Sequence, residues 1–298
     1  MSSATTISPL PPVMANKRRT FRWTRRIPFY ILVILFCITT AFPVYWMLVS
    51  VFQPVTYSLH YPPPFFPQAF TLEPFREIFQ IDNNLDRVDI WIENSILLAS
   101  MTTVICLVLT VLGAYALSGV RWFGQGLFGL LLLMTQLLPE ALIVIPIYAT
   151  IDKLHLKNSL PALALVDAAF ILPICIWILK NVFDTIPVEI RDAGRVDGCN
   201  RMGVLWRIML PISAPGLVAV GVVAFFYAWN EYLFASSLLS DKHYYVTPVG
   251  LAGMISMIDT PIDRMLAGGL VFSIFPVVFY LLVQRYIVAG LSAGAVKG

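Results

Sequence analysis

Long apolar runs alternate with short polar stretches along most of the chain, and six of the runs have the roughly 20 residues a helix needs to cross a bilayer. They cover Ile27 to Val51, Trp91 to Leu117, Leu127 to Thr150, Leu160 to Leu179, Ser213 to Leu239 and Met265 to Val283. The pattern predicts an all-α polytopic membrane protein. One polar stretch, residues 184 to 211, differs from the others. It sets Arg191, Arg195, Arg201 and Arg207 among Asp184, Glu189, Asp192 and Asp197. A charge at the centre of a membrane helix costs roughly 2.5 to 3.5 kcal/mol even on a lenient scale, so this stretch is an extramembrane loop. It is far longer than two adjacent helices need for a connection. It also carries helical signals: Pro187 near a first turn, Glu189 placed to favour a helix N-terminus, and Gly198 as a stop. Such a loop is expected to dock against something.

Composition agrees with the apolar pattern. The chain is 58% hydrophobic and 12% charged, about half the usual charged fraction, so it is not an ordinary soluble domain. The net charge of +3 is modest and there is no interleaved basic and aromatic surface, which argues against a nucleic-acid partner. Of the 20 lysines and arginines, 14 fall in the N-terminal tail, the second and fourth connections and the C-terminal tail, against 6 in the other connections. The positive-inside rule then places both termini and the 184 to 211 loop in the cytoplasm. Lys17, Arg18, Arg19, Arg22, Arg25 and Arg26 precede the first apolar run as they would in a secretory signal. The run is too long for one and no small-x-small cleavage site follows, so it is expected to be a retained span. Residues 1 to 15, rich in Ser, Thr and Pro, are expected to be a disordered tail. Cys37, Cys106 and Cys175 lie within spans and Cys199 in the cytoplasmic loop, so none is placed for an external disulfide.

Enzymatic chemistry finds little support. His60, His155 and His243 all fall in connections, no His/Cys cluster has metal-ligand spacing, and Asp197-Gly198 lacks the ladder of a calcium loop. There is no Gly-x-x-x-x-Gly-Lys-Ser/Thr phosphate cradle, so any ATP that drives this system is bound by another polypeptide.

Within the spans, Glu140, Asp167 and Glu231 fall toward the outer ends of their helices. Two readings stand side by side: a polar vestibule open to the outside, or interhelical hydrogen bonding or interfacial solvation without one. Pro43, Pro139, Pro146, Pro173 and Pro276 are expected to kink their helices, or to serve packing alone. Leu137-Leu138-Pro139-Glu140 followed by Ile145-Pro146 gives the third span two breaks and a charge, an irregularity tolerated where backbone lines a cavity. That span is the expected wall of a translocation path, with Trp229, Asn230 and Glu231 near its outer end.

Asp192-Ala193-Gly194, Asp197-Gly198 and Ile208 to Pro211 resemble the Glu-Ala-Ala, Asp-Gly and Ile-x-Leu-Pro elements of ABC importer permeases, in matching spacing. The chain departs from that pattern at Asp192, Gly194 and Cys199. Phe42-Pro43-Val44-Tyr45-Trp46-Met47-Leu48-Val49-Ser50, Trp229-Asn230-Glu231 and Gln284 to Gly298 are similar to signatures of the carbohydrate branch, the maltose-type second permease subunit. The likeness covers nearly everything beyond the first ~25 residues.

The resemblance implies a six-span type I permease fold paired with a second homologous permease subunit and two copies of an ABC ATPase. It also implies an extracytoplasmic solute-binding protein that delivers sugar, with ATP and Mg on the partner ATPase and no cofactor on this chain. The family's coupling loop carries over onto Glu189, Asp192, Ala193, Gly194, Asp197, Gly198, Leu210 and Pro211, and its binding-protein contact onto the 240 to 264 loop. The expected layout is a basic cytoplasmic tail over 1–26, a permease domain over 27–288 with its coupling loop at 180–212, and a cytoplasmic tail over 289–298, all in the cell membrane. The competing class, a channel or secondary transporter, works without an ATPase and leaves the coupling loop unexplained; the chain also shows no evident inverted repeat of broken helices.

Overall fold

The computed structural model describes residues 26–58, 61–62, 64–79, 87–120, 122–255 and 260–295; side chains at 55, 58 and 286–295 are not described. The expected disordered tail therefore lies outside the described residues. The chain divides into two compact units at Phe70/Thr71.

The first unit is built on α1 (Ile27–Val51), whose large apolar side chains are mostly exposed, with α2 (Val55–Ser58) after it. Pro43 lies inside α1, which continues through it. The aromatic and proline segment that follows folds back on the helix: the Tyr45 hydroxyl donates to the Phe65 carbonyl, and Trp46 meets the Phe65 ring edge-on at 6.1 Å.

The second unit begins with α3 (Glu73–Phe79). It continues through α4 (Val88–Ser118), α5 (Gln125–Met134, extended by a 3-10 turn to Leu137), α6 (Glu140–Lys153) and α7 (Leu160–Asp184). Next come α8 (Val188–Val196), α9 (Arg201–Ile212, with a π-helical turn over Leu205–Met209), α10 (Ala214–Trp229), α11 (Leu233–Leu238), α12 (Thr247–Gly253) and α13 (Ile262–Ala295). Among the described residues there is no strand. Four helical segments are long and apolar enough to cross a membrane: α1, α4, α7 and residues Ile262–Arg285 of α13. Two bent pairs bring the count to as many as six: α5 with α6, bent by 95°, and α9 with α10, bent by 81°.

The core is the packing of α4 on α7, with α10 laid against both and α13 against α10. Ala114, Ala168 and Ala224 sit in one buried cluster with Cys106, Cys175, Leu179 and Phe183; small side chains let helix backbones approach where lipid offers no hydrophobic contrast. A second cluster joins Leu98 and Leu163 to Phe234 and Leu238, which fixes α11 on the main bundle. Ser159 starts α7 by accepting from the Ala162 amide, with Pro161 in the first turn.

The prolines divide into two kinds. Pro146, Pro173 and Pro276 lie inside helices that run on past them, so these three do not break their spans. Pro139 stands at the 95° bend, immediately before Glu140. Leu138 ahead of it is extended, the conformation a following proline imposes. The third span thus has one break, not two.

Candidate coupling and translocation site

Residues 184 to 211 fold into two helices that pack on each other. Helix α8 runs over Val188–Val196 and is followed by Asp197 as its C-cap. The chain then turns through Gly198 in the left-handed region (φ 88°), where a Cβ is disfavoured and glycine is the default. Asn200 restarts the helix, its side chain accepting from the Gly203 amide at 2.7 Å. Asp192 and Arg195 pair at 3.2 Å across one turn, both about half exposed.

The small residues divide their roles. Ala193 is exposed, whereas Gly194 is buried against α9, where a Cβ would overlap Ile208 Cδ1. The small size of Gly194 is therefore used within this chain and not at an outer docking surface. Ile190, Ala193 and Asp197, spaced i, i+3 and i+7, form an exposed face of α8. Glu189 is exposed on its first turn. Leu210 packs partly buried against the core, and Pro211 is exposed in the last turn of α9.

Two bonds tie this assembly to α4. Arg191 Nη1 donates to the Ser118 carbonyl at 3.2 Å, and the Tyr115 hydroxyl donates to the Arg201 carbonyl at 2.9 Å. Neither partner was evident in the sequence, because Tyr115 reads as one more apolar residue of a span.

The three membrane carboxylates come close enough to one another to interact through their charges. Each has a different environment. Glu140 Oε1 accepts from the Tyr227 hydroxyl at 2.7 Å, joining α6 to α10. Glu231 is buried and accepts from the amides of Phe234 and Ala235 at 2.6 and 3.2 Å, closing the first turn of α11. Asp167 is fully buried on α7, and neither of its carboxylate oxygens has a hydrogen-bond partner. Glu140 thus makes an interhelical hydrogen bond, whereas Glu231 bonds only to amides three and four residues on in its own chain segment.

Trp229 and Asn230, adjacent to Glu231 in sequence, part company in space. Trp229 is 1% exposed and stacks on Phe225 and Phe272 at 5.5 and 4.7 Å, so it packs α10 on α13 and borders no open space. Asn230 is exposed and bonds back to the Phe226 carbonyl. Pro139 is exposed at the bend and Glu140 half-buried.

In the 240 to 264 loop, residues 240–247 are held by hydrogen bonds to Asn158 and to the start of α4. The Asn158 carboxamide oxygen accepts from the amides of Ser240 and Asp241 at 2.7 and 3.1 Å. Trp91 Nε1 donates to the Lys242 carbonyl, and Asn94 Nδ2 to those of His243 and Tyr245, all at 2.9 Å. Ser95 Oγ accepts from the Thr247 amide at 2.9 Å. Trp91, Asn94 and Ser95 lie at i, i+3 and i+4 on one face at the start of α4, and that spacing is the signal of a shared role that the sequence carries.

The helical bundle thus carries one short charged helix, α8, in the connection between the apolar helices α7 and α10. Comparison with known proteins places it: the profile of the binding-protein-dependent transport system inner membrane component family matches residues 109–292, and the chain belongs to that family. It is 36% identical to the inner membrane ABC transporter permease protein YcjP of Escherichia coli K12 over 96% of this chain and 100% of the relative. It is 32% identical to the trehalose/maltose transport system permease protein MalG of Thermococcus litoralis, over 92% of this chain and 98% of that one. With the trehalose transport system permease protein SugB of Mycobacterium tuberculosis the identity is 33%, over 78% and 84%. Among solved structures, the fold is similar to a bacterial ABC transporter involved in the import of the acidic polysaccharide alginate. There the TM-score is 0.75 at 22% identity, over 93% of this chain and 99% of that one. The chain is therefore a non-catalytic, multi-pass permease subunit of the inner membrane.

Proposed function

We propose that this chain is one of two transmembrane subunits of an ATP-driven importer that takes up a sugar or sugar-like solute handed over by an extracytoplasmic binding protein. The names of the trehalose and trehalose/maltose relatives support the substrate class. A solved alginate importer in complex with a ligand-bound periplasmic protein supports the mode of delivery. The partners are a second homologous permease and two ABC ATPases, and those ATPases hold ATP and Mg. The chain crosses the membrane six times with both termini in the cytoplasm. Helices α5 and α6 together form the third crossing, and α10 continued by α11 the fifth.

The observation that carries this reading is the rigid seating of α8. Its Ile190, Ala193 and Asp197 face is exposed, its Gly194 is closed against Ile208, and Arg191 ties it to α4. A helix free on one side and fixed on the other two moves as one body with the bundle when an ATPase grips it. Ala193, Glu189 and Asp197 meet the ATPase. Asp192 orients Arg195, Gly194 and Gly198 set the angle of α8 on α9, and Leu210 and Pro211 pass the motion into α10. On the path side, Pro139, Glu140 and Asn230 border the solute route, and Asp167, Trp229 and Glu231 hold the helices that form it.

Reconstitution tests the whole reading. The chain co-expressed with the second permease and the ATPase should purify as one complex. In vesicles, added binding protein and sugar should stimulate ATP hydrolysis and uptake together. Uptake that persists without the ATPase would instead identify a stand-alone transporter.

A further inference from the structure

At the far end of α4 from α8, about 36 Å along the helix at ~1.5 Å per residue, a cleft of about 340 Å³ opens. Its walls include Asn94 of α4, Asn158, Ser159 and Pro161 at the start of α7, and His243 and Tyr244 of the loop before α12. No acid, lysine or arginine lines it. Hydrogen bonds hold the walls in place. The Asn158 oxygen accepts from the amides of Ser240 and Asp241, and the Asp241 carboxylate accepts from the His243 amide at 2.9 Å, which starts a 3-10 turn over Lys242–Tyr244.

Asn94 points to what enters. It is 9% exposed, and its Nδ2 donates to the carbonyls of His243 and Tyr245, both at 2.9 Å. Both amide hydrogens are therefore used, and the orientation of the carboxamide is fixed. Its Oδ1 accepts no hydrogen bond among those found in the described residues. Unlike the oxygens of Asp167, this oxygen is not sealed from solvent, and the opening beside Asn94 is the cleft. The Ser159 hydroxyl accepts from the Ala162 amide at 3.4 Å, which leaves its own hydrogen to donate. Tyr244 is 39% exposed and meets the His243 ring edge-on at 5.4 Å.

A reachable acceptor, a hydroxyl donor and an open aromatic face, without formal charge, suit a neutral ring that carries hydroxyl groups. Small-molecule pockets run from about 300 to 1,000 Å³, so a cleft near the lower bound takes one ring and not a long chain. We infer that this cleft is a receiving subsite for one ring of a neutral sugar on the extracytoplasmic face, with Asn94 Oδ1 as hydrogen-bond acceptor and Tyr244 as stacking platform. It rests on the sugar-permease reading and its orientation, in which this end of α4 faces outside and the 240 to 264 loop stands where the binding protein opens. A sugar released there meets a cleft already shaped by the Asn94 and Asn158 bonds before it enters the bundle.

The test uses the full chain in nanodiscs, without binding protein, second permease or ATPase, and saturation-transfer NMR with millimolar trehalose and maltose as probes. Wild type should transfer saturation to the ring protons of at least one of the two sugars and not to glycerol at the same concentration. Tyr244→Ala should lower the signal about fivefold, as the loss of one aromatic contact implies, and Tyr244→Phe should keep most of it. Asn94→Ala should abolish the signal. Because Asn94 also anchors the loop, the exposed Tyr244 pair keeps the test informative if Asn94→Ala misfolds. No signal from either sugar would overturn the proposal. So would equal signals in wild type and Tyr244→Ala; weaker attachment of the binding protein to that variant would then mark the cleft as a protein-docking surface. The readout needs no ATP hydrolysis and no partner, so its failure is separable from failure of the transport reading, which uptake by the reconstituted complex decides.

Discussion

Gly194 of α8 lies against Ile208 of α9 so closely that a Cβ on Gly194 would meet Ile208 Cδ1, the flexible end of that side chain. The contact sets how near the two helices of the coupling region approach. Gly194→Ala requires only that Ile208 swing aside, and alanine favours a helix over glycine by about 1 kcal/mol, so uptake and stability should stay near wild type. Gly194→Leu adds bulk that a side-chain movement cannot absorb and should cost about 1–3 kcal/mol, with α8 displaced from α9. Sugar-stimulated ATPase activity measures this; equal behaviour of the two variants would remove Gly194 from the coupling geometry.

Gly198 presents a different constraint. Nothing lies within 4 Å of a Cβ there, so the penalty of substitution comes from the backbone at φ 88° alone. A non-glycine residue in that region costs about 1–2 kcal/mol, and asparagine tolerates it best. Gly198→Val should therefore raise the ATP hydrolysed per sugar imported, with Gly198→Asn intermediate and Asp192→Asn mildest. A wild-type ratio in Gly198→Val would show that the turn does not govern coupling.

Glu231 acts as a double acceptor for the first turn of α11. A glutamine keeps an oxygen at that place, whereas alanine leaves two amides unmatched at about 0.5–2 kcal/mol. Glu231→Gln should retain uptake and Glu231→Ala should reduce it with the complex still assembled. If Gln proves as harmful as Ala, the negative charge and not the cap is what transport requires.

Asp167 is the contrasting carboxylate, buried with both oxygens unmatched. Burying an unpaired charge is costly, and asparagine has nearly the same shape without it. Asp167→Asn should leave the melting temperature of the solubilised complex unchanged or a few degrees higher. A clear fall would mean that the charge has a stabilising partner in the assembled transporter.

Cys199 follows the Gly198 turn, half-buried and free, on the side of the membrane that the charge tally assigns to the cytoplasm. A membrane-impermeant maleimide should label it in inside-out vesicles and spare it in sealed right-side-out ones. Labelling from outside would reverse the orientation and with it the coupling assignment.

Much of the architecture was legible in the residue pattern for a simple reason. A bilayer demands long apolar runs, so α1, α4, α7 and Ile262–Arg285 of α13, the segments long and apolar enough to cross one, follow from composition along the chain. Local backbone rules did the same for Pro139 at the bend and Gly198 at the turn, since each acts through its own φ and its immediate neighbours.

What a polar side chain does inside the bundle depended on groups 3 to 151 residues away, and only the tertiary structure decided it. Glu140, Asp167 and Glu231 look alike in the sequence, yet one bonds Tyr227, one caps α11 and one is left unmatched. Gly194 and Ala193 are neighbours of similar size, and packing turned one against Ile208 and left the other exposed. Asn94 reads as the middle of a short polar step, Glu93-Asn94-Ser95, in an apolar run until the fold brings the carbonyls of His243 and Tyr245 to it. The chain alone determined which segments are long and apolar enough to cross a membrane and where the short charged helix falls between them, because hydrophobicity and backbone propensity are properties of short stretches. Which residue meets which partner was decided by how the helices pack, because hydrogen bonds and close contacts require a partner that sequence distance does not reveal.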